Sequence, residues 1–454
     1  MTLDIQRAGT IDQQSLFHPF TSIADLKADG PTIMASGKGV RITDIHGQEY
    51  LDGMAGLWCV NLGYGREEIS AAMDAQSRRL SFFHAFNGMS IDVAVECAEE
   101  LLKRAPVPMS RVFFGASGSD GNETQAKLIW YYNQLRGKPE KKKLICRWNS
   151  YHGSAVLTAS MTGLPGMHSP FLLPMGPIVH TSAPYYYRKA PEGMSEREFS
   201  RQLAKELEEL IEREGADTIG AFFAEAVMGA GGLIPPPEGY FEEIVPILRR
   251  NDILLVMDEV VSGYGRLGTY WGAQTYNVEP DLITSAKGVT SGYFPMSACF
   301  ISPKVWDVIE SNAATAGLFG HGFTYSAHPV GAAAALASLR LIDEENILAN
   351  VQQQSDYLFA QMRAAIGDHR AVGDIRGKGL MVGIELVKDR ATKEILPMAD
   401  RTGRQVLKAA AARGLITRAL GDTLVFAPPL VINRAEVDEL VDKFAAAVND
   451  VLPA

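Results

Sequence analysis

The chain has 454 residues, with 43 Lys plus Arg, 53 Asp plus Glu and a formal net charge of −10. Apolar residues make up 46% and charged residues 21%, a globular balance that excludes disorder and collagen-like repeats. The acidic surplus, with no basic stripe, excludes a nucleic-acid binder, and at about 150 residues per domain the length predicts two or three domains.

Residues 1–60 read as turns and short extended runs. Within them, Gly37 to Gly53 reads as a hairpin turning at His46-Gly47. Helical periodicity comes next over 67–80 and 93–105, then a strand over 111–117 entering a Gly/Ser loop, then a helix over 122–137. The basic run Lys138 to Lys143 reads as a solvated turn. Residues 142–150, 218–227, 253–260, 281–287 and 297–303 are continuous apolar runs of strand length. Unbroken apolar patterning predicts strands covered on both faces, hence a largely parallel sheet between helix layers. A long helical stretch is expected over roughly 330–365. Beyond it lies a C-terminal α+β segment, with strands at 379–387, 414–419 and 423–432 and helices near 400–413 and 434–451. The expected layout is α/β, with an N-terminal segment (1–60) joining a small domain, a large domain (61–330) and a C-terminal small α+β domain (331–454).

The four cysteines, Cys59, Cys97, Cys146 and Cys299, form no CxxC pair, and the nine histidines include no zinc-spaced cluster, so no metal site is expected. No apolar run of about 18 residues is present and the first residues do not resemble a signal peptide. A soluble protein of the reducing cytoplasm, without a membrane partner, is the expectation. A single GxGxxG occurs at Gly263, Gly265 and Gly268. The residues after it, from Thr269 onward, start a helix poorly, so an active-site turn is favoured over a nucleotide fingerprint.

Four loops that each come after a strand carry the chemistry, because ligands of open α/β sheets sit at the carboxyl ends of strands. In Gly115 to Thr124, small residues before a helix suit an anion, with Gly118 and Ser119 as contacts. In Trp148 to Gly153, an aromatic ring could stack on a flat cofactor. Asp258 ends a fully apolar strand, where a carboxylate needs a partner: a metal, an arginine or a protonated ring nitrogen. Lys287 ends another, where a partly desolvated amine can become nucleophilic. Together they supply what pyridoxal 5'-phosphate requires: an anion site, a ring stack, a partner for the pyridinium nitrogen and a Schiff-base lysine.

The sequence resembles the class III pyridoxal-phosphate aminotransferases of fold type I, most closely their omega-amine:pyruvate, beta-alanine:pyruvate-like branch. The resemblance runs over nearly the whole chain: HPFT (18–21), MAGLWCVNLGYG (54–65), SGSDGNET (117–124), YHG (151–153), MDEVVSGYGRLG (257–268), SAKGVTSGYFP (285–295), HGFTYSAHP (321–329) and RGKGLMVGIEL (376–386). It implies that Lys287 bonds the cofactor and shuttles the proton, and that Asp258 keeps the ring nitrogen protonated. Gly118 and Ser119 would bind phosphate, Tyr151 and Val260 would cover the two ring faces, and Glu225 would be a nearby carboxylate. Thr324 would reach the phosphate of the neighbouring subunit, which implies a homodimer and leaves tetramers open. Phe20, Trp58 and Phe86, with Tyr151, would form an apolar substrate pocket, and Arg418 would pair a substrate carboxylate and swing away for amines. Gly121 and Asp120 depart from the usual Ala and Glu, with a slightly softened helix start expected.

The implied activity is ping-pong transfer of an amino group from a terminal or chiral amine, or an omega-amino acid, to a keto acid such as pyruvate. The alternatives are another class III activity (an amino-acid-only transaminase, an aminomutase or a decarboxylating member), a nicotinamide-dependent oxidoreductase using Gly263 to Gly268, and a cofactor-binding protein without turnover.

Overall fold

Apolar runs with no polar face become strands only where both faces can be covered. The computed structural model describes residues 4–452. It opens its sheets with β1 (Met34–Lys38), β2 (Arg41–Asp44) and β3 (Glu49–Asp52). Next come β4 (Arg111–Gly115), β5 (Lys143–Arg147), β6 (Ile178–Thr181), β7 (Ile219–Glu225), β8 (Leu254–Asp258), β9 (Leu282–Ser285) and β10 (Ser297–Ile301). These seven form one sheet in the order β4-β10-β9-β8-β7-β5-β6. β5 to β9 pair in parallel, whereas β10 runs antiparallel to both its neighbours. Every residue of β7, β8, β9 and β10 is buried. Neighbouring residues serve opposite layers. Leu254 and Val256 pack with the helix Gly118–Leu135, while Leu255 and Met257 join the larger cluster on the other face.

The last strands are β11 (Val372–Lys378), β12 (Met381–Leu386), β13 (Leu415–Ile416), β14 (Arg418–Leu420) and β15 (Thr423–Phe426). They build a sheet β11-β12-β15-β14, and β13 crosses to the N-terminal sheet, giving β1-β2-β3-β13. β13 lies parallel to β3, with Leu415 opposite Leu51 and Ile416 opposite Asp52. The two ends of the chain therefore share a sheet.

Several expectations are corrected. Residues 1–60 are not only turns and extended runs, since helices form at Ile5–Ser15 and Ile23–Asp29, capped by Asp4 and Ser22. They bury little of the chain: Ala8 is fully buried, while Ile5 and Ile23 are exposed, as are Leu16 and Phe17 between the helices. They therefore produce no core-facing stripe that periodicity could reveal. The helical stretch after Pro329 is two helices, Pro329–Glu344 and Ile347–Ile366, broken where Asn346 adopts φ +51°. The helix expected from residue 122 starts at Gly118, because the Ser117–Asp120 capping box initiates it four residues earlier. In the basic run, Lys141 is not solvated. It is 2% exposed and its Nζ donates to the carbonyl of Ala216 at 3.0 Å. Among the described residues no helix is long and apolar enough to cross a membrane.

The Gly263–Gly268 segment is a buried turn rather than the start of a helix, with Gly265 and Gly268 at φ +99° and +87°. It presents Arg266, which is fully buried and donates to the carbonyls of Pro428 and Leu380 and to Asn61 Oδ1. One guanidinium thus ties the N-terminal and C-terminal segments to the large sheet's loops. Arg266→Met is expected to destabilise by about 3 kcal/mol or more, since each abandoned buried acceptor costs roughly 1–3 kcal/mol. Urea unfolding of variant and parent measures this, and a loss below about 1 kcal/mol would remove Arg266 as a tether.

Candidate active site

The carboxyl ends of β4, β5, β7, β8 and β9 lie along one edge of the large sheet. That edge carries Gly118, Tyr151, Glu225, Asp258 and Lys287, at strand ends or just beyond them. Asp258 is the last residue of β8 and is 4% exposed. Its Oδ2 accepts from Asn122 Nδ2 and from His152 Nδ1, both at 2.8 Å, and its Oδ1 accepts from the Val260 N–H at 3.1 Å. Asn122 and His152 are themselves buried, and Asn122 also donates to the His152 carbonyl at 2.9 Å. Sequence reasoning missed both as site residues. The available signals were an Asn on the buried face of the helix Gly118–Leu135 and a His directly after Tyr151. Glu259, the second acid of the pair, points to the other layer. It accepts from the N–H groups of Gly272 and Ala273, and burial raises its carboxyl above the usual range.

Glu225 is fixed by two backbone donors, the N–H of Tyr151 to Oε1 at 2.9 Å and the N–H of Gly229 to Oε2 at 2.8 Å. Burial raises its carboxyl as well. Its oxygens therefore tie the Tyr151 loop to the Gly229 turn. At the start of the helix Gly118–Leu135, the Asp120 carboxylate accepts from the N–H groups of Ala116 and Ser117 and from Ser297 Oγ. The first-turn N–H groups of this helix are those an anion would use. Gly118 faces Val260 so closely that a Cβ would stand 2.8 Å from Val260 Cγ2. Gly121 does more than soften the helix: a Cβ there would meet Thr284 Cγ2 at 2.8 Å, so the residue lets the helix approach β9.

Lys287 comes just after β9 with φ +46°, a left-handed conformation for a non-glycine residue. Burial lowers its amine below the usual lysine value, while the nearby Asp258 carboxylate opposes that shift. Arg418, the first residue of β14, lies within electrostatic range of both Lys287 and Tyr151. Burial lowers its guanidinium, the Tyr151 hydroxyl opposes that, and no carboxylate faces it among the described residues. Trp58 is 5% exposed, at φ +62°, and lies against Gly229. Phe20 (70% exposed), Phe86 (41%) and Thr324 instead stand on exposed segments. No hydrogen bond or ring contact joins them to Lys287 within the chain; Phe86 packs on His84 and against Gly322. Among the described residues there is no group of three His, Cys, Asp or Glu side chains that could hold a metal.

A family model for class III aminotransferases matches residues 25–448. The chain belongs to this family. It is 45% identical to a diaminobutyrate–2-oxoglutarate transaminase of Halomonas elongata, over 98% of this chain and 96% of that one. The omega transaminase of Pseudomonas jessenii, solved in complex with PMP, superposes with a TM-score of 0.95 at 42% identity, covering 98% of each chain. A thermostable omega transaminase variant engineered for synthesis of bulky amines matches at TM-score 0.95 and 42% identity, over 98% of this chain and 99% of that one. The protein is therefore a pyridoxal-phosphate-dependent class III aminotransferase of fold type I, with a mixed, mostly parallel sheet and smaller sheets beside it. The residues present fit the cofactor. A helix start can receive phosphate, the Gly118–Val260 slot would be closed by a Cβ, and a buried carboxylate and a desolvated amine stand at neighbouring strand ends.

Because folding disfavours the protonated form of Lys287, its stability cost is present at neutral pH and disappears as pH rises above the ordinary lysine value. Lys287→Met is therefore expected to stabilise the cofactor-free protein at pH 7, with the gain vanishing above about pH 10.5. Thermal unfolding across that pH range checks the sign, and equal stability at pH 7 would show that the amine is not desolvated.

Proposed function

We propose that this aminotransferase moves an amino group from a terminal or chiral amine, or an omega-amino acid, to a keto acid such as pyruvate by a ping-pong mechanism, the first product leaving before the second substrate enters. The observation that carries this reading is Arg418, a half-buried guanidinium beside Tyr151 and Lys287 that no carboxylate faces among the described residues. Such a group suits a substrate carboxylate that it can grip bidentately. Trp58 would wall the apolar side, with Phe20 and Phe86. The engineered neighbour supports that role, because its three replacements for bulky amines fall on a tryptophan, a phenylalanine and an arginine.

Bound pyridoxal phosphate would supply the electron sink that lets the substrate carbon lose its proton. Gly118 and Ser119 would hold its phosphate at the helix start, and Tyr151 and Val260 would enclose the ring. The Asp258 carboxylate would hold a proton on the ring nitrogen, supported by Asn122 and His152. Lys287 Nζ would anchor the cofactor, then take the proton from the donor's carbon and return one to the acceptor's. Glu225 acts at one remove, fixing the Tyr151 backbone.

Thr324 would contact the phosphate bound by a neighbouring subunit, in a homodimer. The exposed apolar side chains of Phe17, Phe20, Phe86, Leu318 and Tyr325 are available to such an interface. We further propose three segments, 1–60, 61–330 and 331–454, and a cytoplasmic location consistent with four free cysteines. The Halomonas relative makes 2-oxoglutarate the competing acceptor.

A donor panel run with pyruvate and with 2-oxoglutarate decides the acceptor, and no turnover of any amine with either would end this reading. Lys287→Ala is expected to abolish turnover in that assay. Arg418→Ala is expected to slow the pyruvate or alanine half-reaction by about 2 kcal/mol or more. The half-reaction with 1-phenylethylamine should change little, and single-turnover spectra can track the two halves separately. Equal losses in both halves would make Arg418 a structural residue. Thr324→Ala is expected to lose cofactor on gel filtration faster than the parent, and unchanged retention would refute the shared site.

A further inference from the structure

Asp52 ends β3 and is 2% exposed. Its Oδ1 accepts from the Met54 N–H at 2.8 Å. Its Oδ2 accepts from the Gly56 N–H and the Tyr64 hydroxyl, each at 2.6 Å. The segment held in this way is unusual: Ala55, Gly56 and Trp58 have φ of +48°, +67° and +62°. For Ala and Trp this region costs roughly 1 kcal/mol or more each, and it persists only where the surroundings over-determine it. They do so here. The N–H of Trp58 donates to the Met54 carbonyl, and those of Cys59 and Val60 donate to Ala55.

The loop's two rings are also closely packed against glycines. The indole presses on Gly229, where a Cβ would stand 2.3 Å from Trp58 Cζ3. Tyr64 lies over Gly37, where a Cβ would stand 2.7 Å from its Cγ, so the missing side chain at Gly37 admits the ring to its place beside Asp52. Asp52 also sits opposite Ile416 in the parallel β3–β13 pair, and the Gly53 N–H donates to the Ile416 carbonyl at 2.8 Å. Arg418 lies two residues further along that strand connection. The tryptophan loop and the arginine therefore leave the same pair of strands.

We infer that Asp52 and Tyr64 are specificity-determining positioning residues. They lock Trp58 into its strained loop at a fixed station relative to Arg418, and so set the size of amine the pocket admits. This rests on the proposed donor pocket. Neither residue is placed against the substrate; each acts through the Trp58 ring. With the clamp weakened, the loop relaxes towards ordinary backbone angles and the indole wall loses its station.

The test uses the holoenzyme and its Asp52→Asn, Tyr64→Phe and Trp58→Ala variants, with the Asp52→Asn/Trp58→Ala double variant. The readout is kcat/KM for 1-phenylethylamine relative to the bulkier 1-phenylbutylamine, with the L-alanine half-reaction as internal control. Asp52→Asn and Tyr64→Phe are expected to lower that ratio by about tenfold, the scale of one altered pocket contact, with the alanine half-reaction within about threefold of the parent. In the Trp58→Ala background, Asp52→Asn should add no further change, because coupled residues are non-additive. If Trp58→Ala changes the ratio but neither clamp variant does, the inference falls and the donor pocket stands. If Trp58→Ala leaves the ratio unchanged, the donor pocket itself falls. Equal losses for all three substrates make the clamp merely structural and overturn the inference. Should Asp52→Asn fail to fold, Tyr64→Phe, which removes one hydroxyl, decides alone.

Discussion

A buried carboxylate at the end of β8 is the constraint on which this molecule's site is organised. An ionised Asp in an apolar interior is expensive unless it is hydrogen-bonded or paired. Asp258 meets that demand from three separate places: Asn122 on the helix after β4, His152 on the loop after β5 and the N–H of Val260 just beyond its own strand. Satisfying one charge therefore fixes the relative positions of the helix that starts at Gly118 and the loop that carries Tyr151. The neighbouring carboxylate, Glu225, continues the same arrangement by binding the N–H groups of Tyr151 and Gly229. The helix start, the Tyr151 loop and the end of β8 cannot drift independently.

The sheet makes this possible because it is covered on both faces. Parallel strands β5 to β9 place their carboxyl ends together, and helix layers keep water from everything behind that edge. Desolvation then acts on whatever ionisable group stands there, lowering the Lys287 amine and raising the Glu225 carboxyl. A lysine with a depressed affinity for its proton suits bonding to a carbonyl carbon, and the same environment strengthens fixed electrostatic contacts. Stability and reactivity thus share a cause in the low-dielectric strand ends.

The surroundings of Trp58 and Arg418 are assembled differently, from the chain's extremities. β3 and β13 belong to segments more than 350 residues apart, yet their pairing brings the loop of Trp58 and the strand of Arg418 from one platform. Arg266 binds the same extremities to the large sheet through Asn61, Leu380 and Pro428. Recognition of an apolar group by Trp58 and of a carboxylate by Arg418 would therefore depend on contacts of high sequence separation.

The sequence by itself determined the elements whose local chemistry is self-sufficient. Unbroken apolar runs dictated β5, β7, β8, β9 and β10, because such segments have no water-facing side. Asp258 and Lys287 stood out as polar endings of apolar strands, and ordered motifs along the chain identified the family. Tertiary structure alone decided what depends on partners from elsewhere. The reversed direction of β10 leaves no mark on its own residues. The burial of Lys141 depends on carbonyls supplied by distant turns, and Asn122 and His152 gain their role only when folding brings them to Asp258. Helices at the N-terminus escaped notice because they bury little: Ala8 is their one fully buried residue and Ile5 and Ile23 stay exposed, so no core imposed a readable period on them. Periodicity records what a segment buries against, whereas the identity of a buried group's partner is written only in three dimensions.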